Sequence, residues 1–340
     1  YDPEFAVGVT AASATLGPII PPSLPFVIYG MMANVSVGSL FLAGIVPGGI
    51  MAVLMMLTVA YFAHRHGWGG DVAFHWPTLV KALIETGVVV GWPLSIWWLI
   101  TEQQTPPQAT VFLGLLLLFL ADKWFRFQAV LPIMTPVLLI GGMTTGVFTP
   151  TEGAIAACVW ALVLGLLWYR TLNLRLFVQI CLDTVETTAT VLFIVAAASI
   201  FGWMLTATGV TSAISQWVLG VTDQPWQFLL LANLLMLFVG CFLEPTAAIT
   251  ILVPILLPIC RQLGIDPVHF GLIMVLNLMI GLLHPPMGMV LFVLARVAKL
   301  SVERTTMAIL PWLVPLLLSL ALITYVPSIS LWLPGYMATG

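Results

Sequence analysis

Two short stretches hold the residues of this chain that could do chemistry. One is Gly281-Leu282-Leu283-His284-Pro285-Pro286-Met287-Gly288, set inside an apolar run from Phe270 to Ala295. Consecutive prolines remove backbone donors and clash with the preceding turn, and the flanking glycines loosen the backbone. A helix interrupted in this way presents free carbonyls at the negative end of its first half and free N–H groups at the positive start of its second. The carbonyl end suits a hard cation such as sodium, and the N–H end suits a carboxylate. In lipid such a break is tolerated only where protein or a water-filled cavity satisfies the freed groups, and transporters place their ions and substrates there.

The second stretch, Gly17-Pro18-Ile19-Ile20-Pro21-Pro22-Ser23, stands 264 positions earlier. Asp2-Pro3 precedes it as Asp266-Pro267 precedes the first, and Pro47 matches Pro311 at the same offset. Val35-Ser36-Val37 matches Leu300-Ser301-Val302 after a one-residue slip. Two broken helices, each opened by Asp-Pro and followed by a long apolar helix, form an internal repeat. Candidate sodium ligands are Ser13, Thr15 and Gly17 at the first break, and Asn277, Gly281, His284 and the Thr246 hydroxyl around the second. His284 is expected to act as a hydrogen-bonding group, not as a proton carrier. Candidate substrate contacts are Pro22 and Ser23, Pro286 and Gly288, and Glu244, an acid within apolar surroundings. Glu152 is expected to cap a helix start, and Arg296 to be a helix-end cation. Ser and Thr at these positions can equally serve only to bond their own helix backbone.

These elements belong in a membrane. Of 340 residues, 61% are hydrophobic and 7% charged, against roughly 25% charged in a soluble domain; mean hydropathy is +1.12. The expected fold class is an all-α polytopic membrane protein with inverted-topology repeats, a re-entrant hairpin and broken transmembrane helices. A net charge of −3 without a basic stripe offers nothing to nucleic acid. Cys158, Cys181, Cys241 and Cys260 lack metal or redox spacing and read as packing residues. Neither HExxH nor GxSxG occurs and no acid pair stands at catalytic spacing, so no enzyme, cofactor or metal other than sodium is expected.

Along the chain, residues 5–34 read as the first broken helix and 39–63 as a full span, together a first repeat of 1–66. Residues 67–125 hold an interfacial stretch (77–86) and an extra apolar pair (87–125). Residues 126–225 hold spans at 128–148 and 153–169, an amphipathic arm at 173–187, a span at 188–207 and a connector at 210–221. Residues 226–334 form the second repeat: two apolar arms, 226–243 and 247–262, around Glu244-Pro245-Thr246, then the second broken helix and a last span, 306–333. The thirteen tryptophans read mainly as interfacial anchors.

Arg65, Arg170, Arg175, Arg296, Lys299 and Arg304 mark cytoplasmic ends by the positive-inside rule. The loop Asn34–Gly38 carries no Lys or Arg, whereas its counterpart from Arg296 to Arg304 carries three. Equivalent loops therefore face opposite sides, so the first broken helix runs in to out and the second out to in. The two arms around Glu244 must then begin and end outside, which makes them a re-entrant hairpin with a buried tip. A matching hairpin is expected before Tyr1, so the chain reads as a fragment lacking its N-terminal helices.

The stretches "AASATLGPIIPPSLPFVIYG", "GVFTPTEGAIAA", "FLEPTAAITILVPILLP" and "GIDPVHFGLIMVLNLMIGLLHPPMG" resemble the large membrane subunit of TRAP transporters, the tripartite ATP-independent periplasmic carriers, over about 1–66 and 126–334. The resemblance implies sodium-driven uptake of a small organic anion, such as a dicarboxylate or sialic acid, across the bacterial inner membrane by an elevator-like motion. It also implies, as partners, a small membrane subunit in the same lipid bilayer and a soluble periplasmic substrate-binding protein. Three features depart from the family pattern: the pair at 87–125, His284 where Thr is usual, and Arg296 where a small residue is common. The alternatives are a related sodium/anion carrier working without a binding protein, and a non-transporting membrane scaffold.

Overall fold

The computed structural model describes residues 2–68, 76–77, 80, 131, 135, 142, 148–222, 224–285 and 288–338, and among these it is helical without strands. The expected pair at 87–125 lies outside the described residues, as do most of the stretch 77–86 and the span 128–148. The chain divides into two compact units, Tyr1–Gly69 with Glu186–Gly340, and Gly70–Val185.

In the first unit, α1 (Pro3–Ala14) and α2 (Leu24–Ala33) are the halves of the first broken helix, followed by α3 (Val37–Arg65). In the second unit, α4 (Pro150–Val163) continues into a π turn at Leu164–Trp168. Next comes α5 (Leu174–Ala207), which enters the first unit at Glu186. The expected boundary between an arm and a span near 187–188 is not there; one helix of 34 residues runs through it. No Pro or Gly stands between Leu174 and Phe201, and the Thr184 and Thr190 hydroxyls bond back to Ile180 and Glu186 carbonyls without breaking the ladder.

The first unit continues with α6 (Val210–Val221), α7 (Pro225–Gly240), α8 (Pro245–Gln262), α9 (Pro267–Gly281), α10 (Met289–Ala298), α11 (Val302–Tyr325) and α12 (Ser328–Ala338). The expected last span at 306–333 is therefore two helices. Pro327 disfavours a helical Val326, which sits at φ −123° and ψ 80°. Among the described residues, five helices are long and apolar enough to cross a membrane, α3, α8 and α11 among them.

The two broken helices end alike. Asn34 and Lys299 each take a left-handed conformation, φ 54° and 55°. The next residues, Val35 and Leu300, bond back to Gly30 and Ala295 carbonyls. Ser36 and Ser301 then cap α3 and α11 through the Ser39 and Arg304 amides.

Contacts among helix ends fix their relative directions. The start of α1 meets the end of α3 and the first half of α11 in an aromatic cluster of Phe5, Phe62, Trp68 and Trp312. At the opposite end, Arg261 donates to the Ala33 carbonyl at 3.0 Å, and the Tyr29 hydroxyl donates to the Pro267 carbonyl at 2.6 Å. The end of α2, the end of α8 and the start of α9 thus lie together. α1–α2 runs toward that end, and α9–α10 runs away from it. Arg261 neutralises a helix C-terminus, which accounts for a cation at the end otherwise poor in Lys and Arg.

Candidate functional site

α7 and α9 lie parallel, and their register brings successive pairs together: Phe228 against Phe270, Asn233 against Asn277, Gly240 against Gly281 and Cys241 against His284. The turn Gly240–Pro245 therefore sits at the depth where α9 breaks, about 22 Å along a 15-residue helix. The hydrocarbon core is about 30 Å thick, so a helix of this length ends short of crossing it.

α9 stops at Gly281 because Pro285 has no N–H to continue the ladder. The last amides tighten, with Leu283 bonding to Ile280 and His284 to Gly281 carbonyls. Gly288 folds back onto Leu282; a Cβ there would stand 2.4 Å from the Leu282 carbonyl oxygen. The His284 ring turns its Nδ1 to the Pro285 carbonyl, with Cys241 Sγ at 3.6 Å. A carbonyl only accepts, so Nδ1 carries the proton in this contact. Pro286 lies outside the described residues.

The first break covers residues 15–23. Its Ile19 carbonyl presses on α3 at Gly44, where a Cβ would come within 2.3 Å of the oxygen. Ser13 donates to the Thr10 carbonyl at 3.1 Å, and Thr15 to the Ala12 carbonyl at 2.7 Å. Both hydroxyl hydrogens are thus committed to the helix, and the oxygens keep their lone pairs. Ser23, buried, caps α2 through the Phe26 amide and donates to the Pro18 carbonyl. Gly17 and Pro22 are exposed.

A cleft of about 510 Å³ opens beside this structure, lined by Leu24 at the start of α2, Glu186, Thr187 and Thr190 on α5, and Glu244 and Thr246 at the start of α8. Glu244 is the N-cap of α8. Its carboxylate accepts from the Ala247 amide at 3.2 Å and the Thr246 hydroxyl at 2.8 Å. None of the described lining residues is Lys or Arg. The turn between α7 and α8 thus touches the second break on one side and, through this cleft, the start of α2 on the other.

Asn277 is fully buried. Its Nδ2 donates to the backbone carbonyl of Asn233 at 3.1 Å and to Asn233 Oδ1 at 2.7 Å. Asn277 Oδ1 has no hydrogen-bond partner, alone in this among buried side-chain polar atoms of the described residues. Glu152 forms a capping box with Thr149 at the start of α4, and Arg296 lies exposed in the last turn of α10.

Sequence reasoning missed Asn233, Glu186 and Arg261. The signal for Asn233 was present: a lone Asn in the apolar run of α7, where an amide needs a partner. No signal in the sequence pairs Glu186 with Glu244, which are 58 positions apart and meet only through the packing.

Fold and site define a multi-pass helical membrane protein with two interrupted helices meeting at one turn. The family model described as "Tripartite ATP-independent periplasmic transporter, DctM component" matches residues 1–329, and the chain belongs to this family. It is 39% identical, over 98% of its own length and 68% of the relative's, to the sialic acid TRAP transporter large permease protein SiaM of Vibrio cholerae. It is 34% identical to the C4-dicarboxylate TRAP transporter large permease protein DctM of Pseudomonas aeruginosa, covering 99% of itself and 69% of that protein. It is 35% identical to the isethionate TRAP transporter permease protein DctMQ of Oleidesulfovibrio alaskensis, covering 98% of itself and 46% of that protein.

Proposed function

We propose that this chain is the large permease subunit of a sodium-coupled secondary transporter that imports a small organic anion across the bacterial inner membrane. The observation that carries the reading is the turn Gly240–Ala247, held between the second break and the start of α2. In this reading α7 and α8 form a re-entrant hairpin, the two repeats are inverted, and the unit carrying both breaks moves as an elevator. In this reading carbonyl and side-chain oxygens with a lone pair to spare hold sodium: Ser13, Thr15 and Gly17 in the first repeat, and Thr246, Asn277, Gly281 and His284 in the second. The unpartnered Asn277 Oδ1 supports the second set, because a hard cation takes oxygen ligands.

The substrate carboxylate meets helix N-termini near Pro22 and Ser23 and near Gly288. Glu244 and Glu186 cannot attract a carboxylate, so they face its hydroxyl or other donor groups. The relatives' names attach sialic acid, C4-dicarboxylates and isethionate to those proteins, and a small acid is the class they share. A small membrane subunit and a periplasmic binding protein that delivers the acid complete the system. The test is uptake of a labelled acid by proteoliposomes holding all three components, with and without an inward sodium gradient. Uptake that ignores the gradient would reject sodium coupling, and uptake that needs no binding protein would favour a carrier working alone.

A further inference from the structure

The orientation of the Asn277 amide is set from outside α9. An amide can be turned over, exchanging its oxygen and nitrogen, and only its neighbours decide which way it stands. Asn277 meets two oxygens on α7, the Asn233 backbone carbonyl and Asn233 Oδ1. Both accept only, so Asn277 must give them its NH2 and send Oδ1 the other way. Asn233 follows from this: with Asn277 donating to it, its near atom is Oδ1, and its Nδ2 then donates at 3.1 Å to Thr324 Oγ1 on α11, a hydroxyl that can give or accept. The Thr324 carbonyl lies 3.3 Å from His269 Nε2, and His269 Nδ1 lies 2.7 Å from Ser330 Oγ on α12. All five residues are buried, at 8% exposure or less. The chain of bonds ends at one atom with no protein partner, Asn277 Oδ1. A carbonyl oxygen left so in a core is costly unless a ligand takes it.

We propose that Asn233 is a positioning residue: backed by Thr324, it holds the Asn277 side chain so that Oδ1 is presented to the coupling cation. This rests on the sodium-coupled reading above. It adds α7 and α11 to the cation site, so the hairpin arm and the last long helix set sodium affinity without touching the ion. Partners in this outer position typically change metal affinity about 10- to 100-fold when removed.

The experiment uses the complete three-component transporter in proteoliposomes and measures the sodium concentration for half-maximal uptake and the substrate KM at saturating sodium. Asn233→Leu removes the nearer of the two acceptors that orient Asn277, the one at 2.7 Å, and is expected to raise the sodium requirement about tenfold, with substrate KM unchanged. Thr324→Val is expected to shift it the same way by less. Asn233→Asp keeps an acceptor for Asn277 and is expected to hold the sodium requirement at or below the wild-type value. A sodium requirement unchanged in Asn233→Leu overturns the proposal. If that variant does not fold, an unchanged Thr324→Val together with a weakened Asn233→Asp overturns it. Wild-type uptake that does not depend on sodium would instead sink the coupling reading itself, and this inference with it.

Discussion

Gly240 and Gly281 touch backbone to backbone where α7 meets the second break. A Cβ added at Gly281 would lie 2.7 Å from the Gly240 Cα, and one added at Gly240 would lie 3.1 Å from the Gly281 Cα. No flexible side chain stands between them to yield, so any added methyl must push the turn away from the break. Gly281→Ala is expected to cost about 1–3 kcal/mol by overpacking and to abolish uptake. Gly49→Ala, which meets nothing within 4 Å in α3, is the control and should be neutral or slightly stabilising. Thermal unfolding of the purified protein, beside uptake, checks both.

The opposed directions of the two broken helices predict opposite labelling. In a background without the four native cysteines, a cysteine replacing Val37 should react with an impermeant thiol reagent added outside, and one replacing Ser301 only from inside. The helix-end contacts Arg261–Ala33 and Phe5–Trp312 set Val37 and Ser301 at opposite ends. Labelling of both from one side would reject the inverted arrangement.

His284 gives its Nδ1 to the neighbouring Pro285 carbonyl, a short-range bond that a hydroxyl can replace. His284→Thr should retain sodium-dependent uptake within a few-fold of wild type. Loss of a proton-dependent component of uptake, with sodium dependence intact, would make His284 a proton site.

Leu24 lines the cleft and is 52% exposed. Leu24→Trp adds bulk to the cleft without filling the core. It should raise substrate KM strongly or stop uptake while the protein's stabilisation by sodium is unchanged. An unaltered KM would place the substrate elsewhere.

The Thr149–Glu152 capping box is local to α4 and exposed. Thr149→Ala should destabilise this helix start by about 1 kcal/mol and leave the sodium requirement untouched, as read by thermal unfolding and uptake. A changed sodium requirement would bring Glu152 into the transport mechanism.

Local order in this protein was readable from residue types alone. Asp-Pro at 2–3 and 266–267 starts α1 and α9, Pro18 and Pro285 each stand four residues past the last helical residue, Ala14 and Gly281, and Ser36 and Ser301 begin the helices that follow. Each is a neighbour effect: a missing N–H, a fixed φ, a side-chain oxygen within reach of a helix start. The Lys and Arg count points to opposite directions for the repeats on similar grounds, since charge at a helix end is a property of that end. Two expected boundaries differ for reasons that are also local. The single 34-residue helix α5 replaced an expected boundary because polarity change alone does not break a helix. Pro327 ended α11 where apolarity continued. Asn277 was visible as a polar residue in an apolar run, but the direction of its oxygen depends on contact with a distant segment, the two oxygens of Asn233, 44 positions away. An amide looks the same in a sequence whichever way it is turned; only the oxygens packed against it decide.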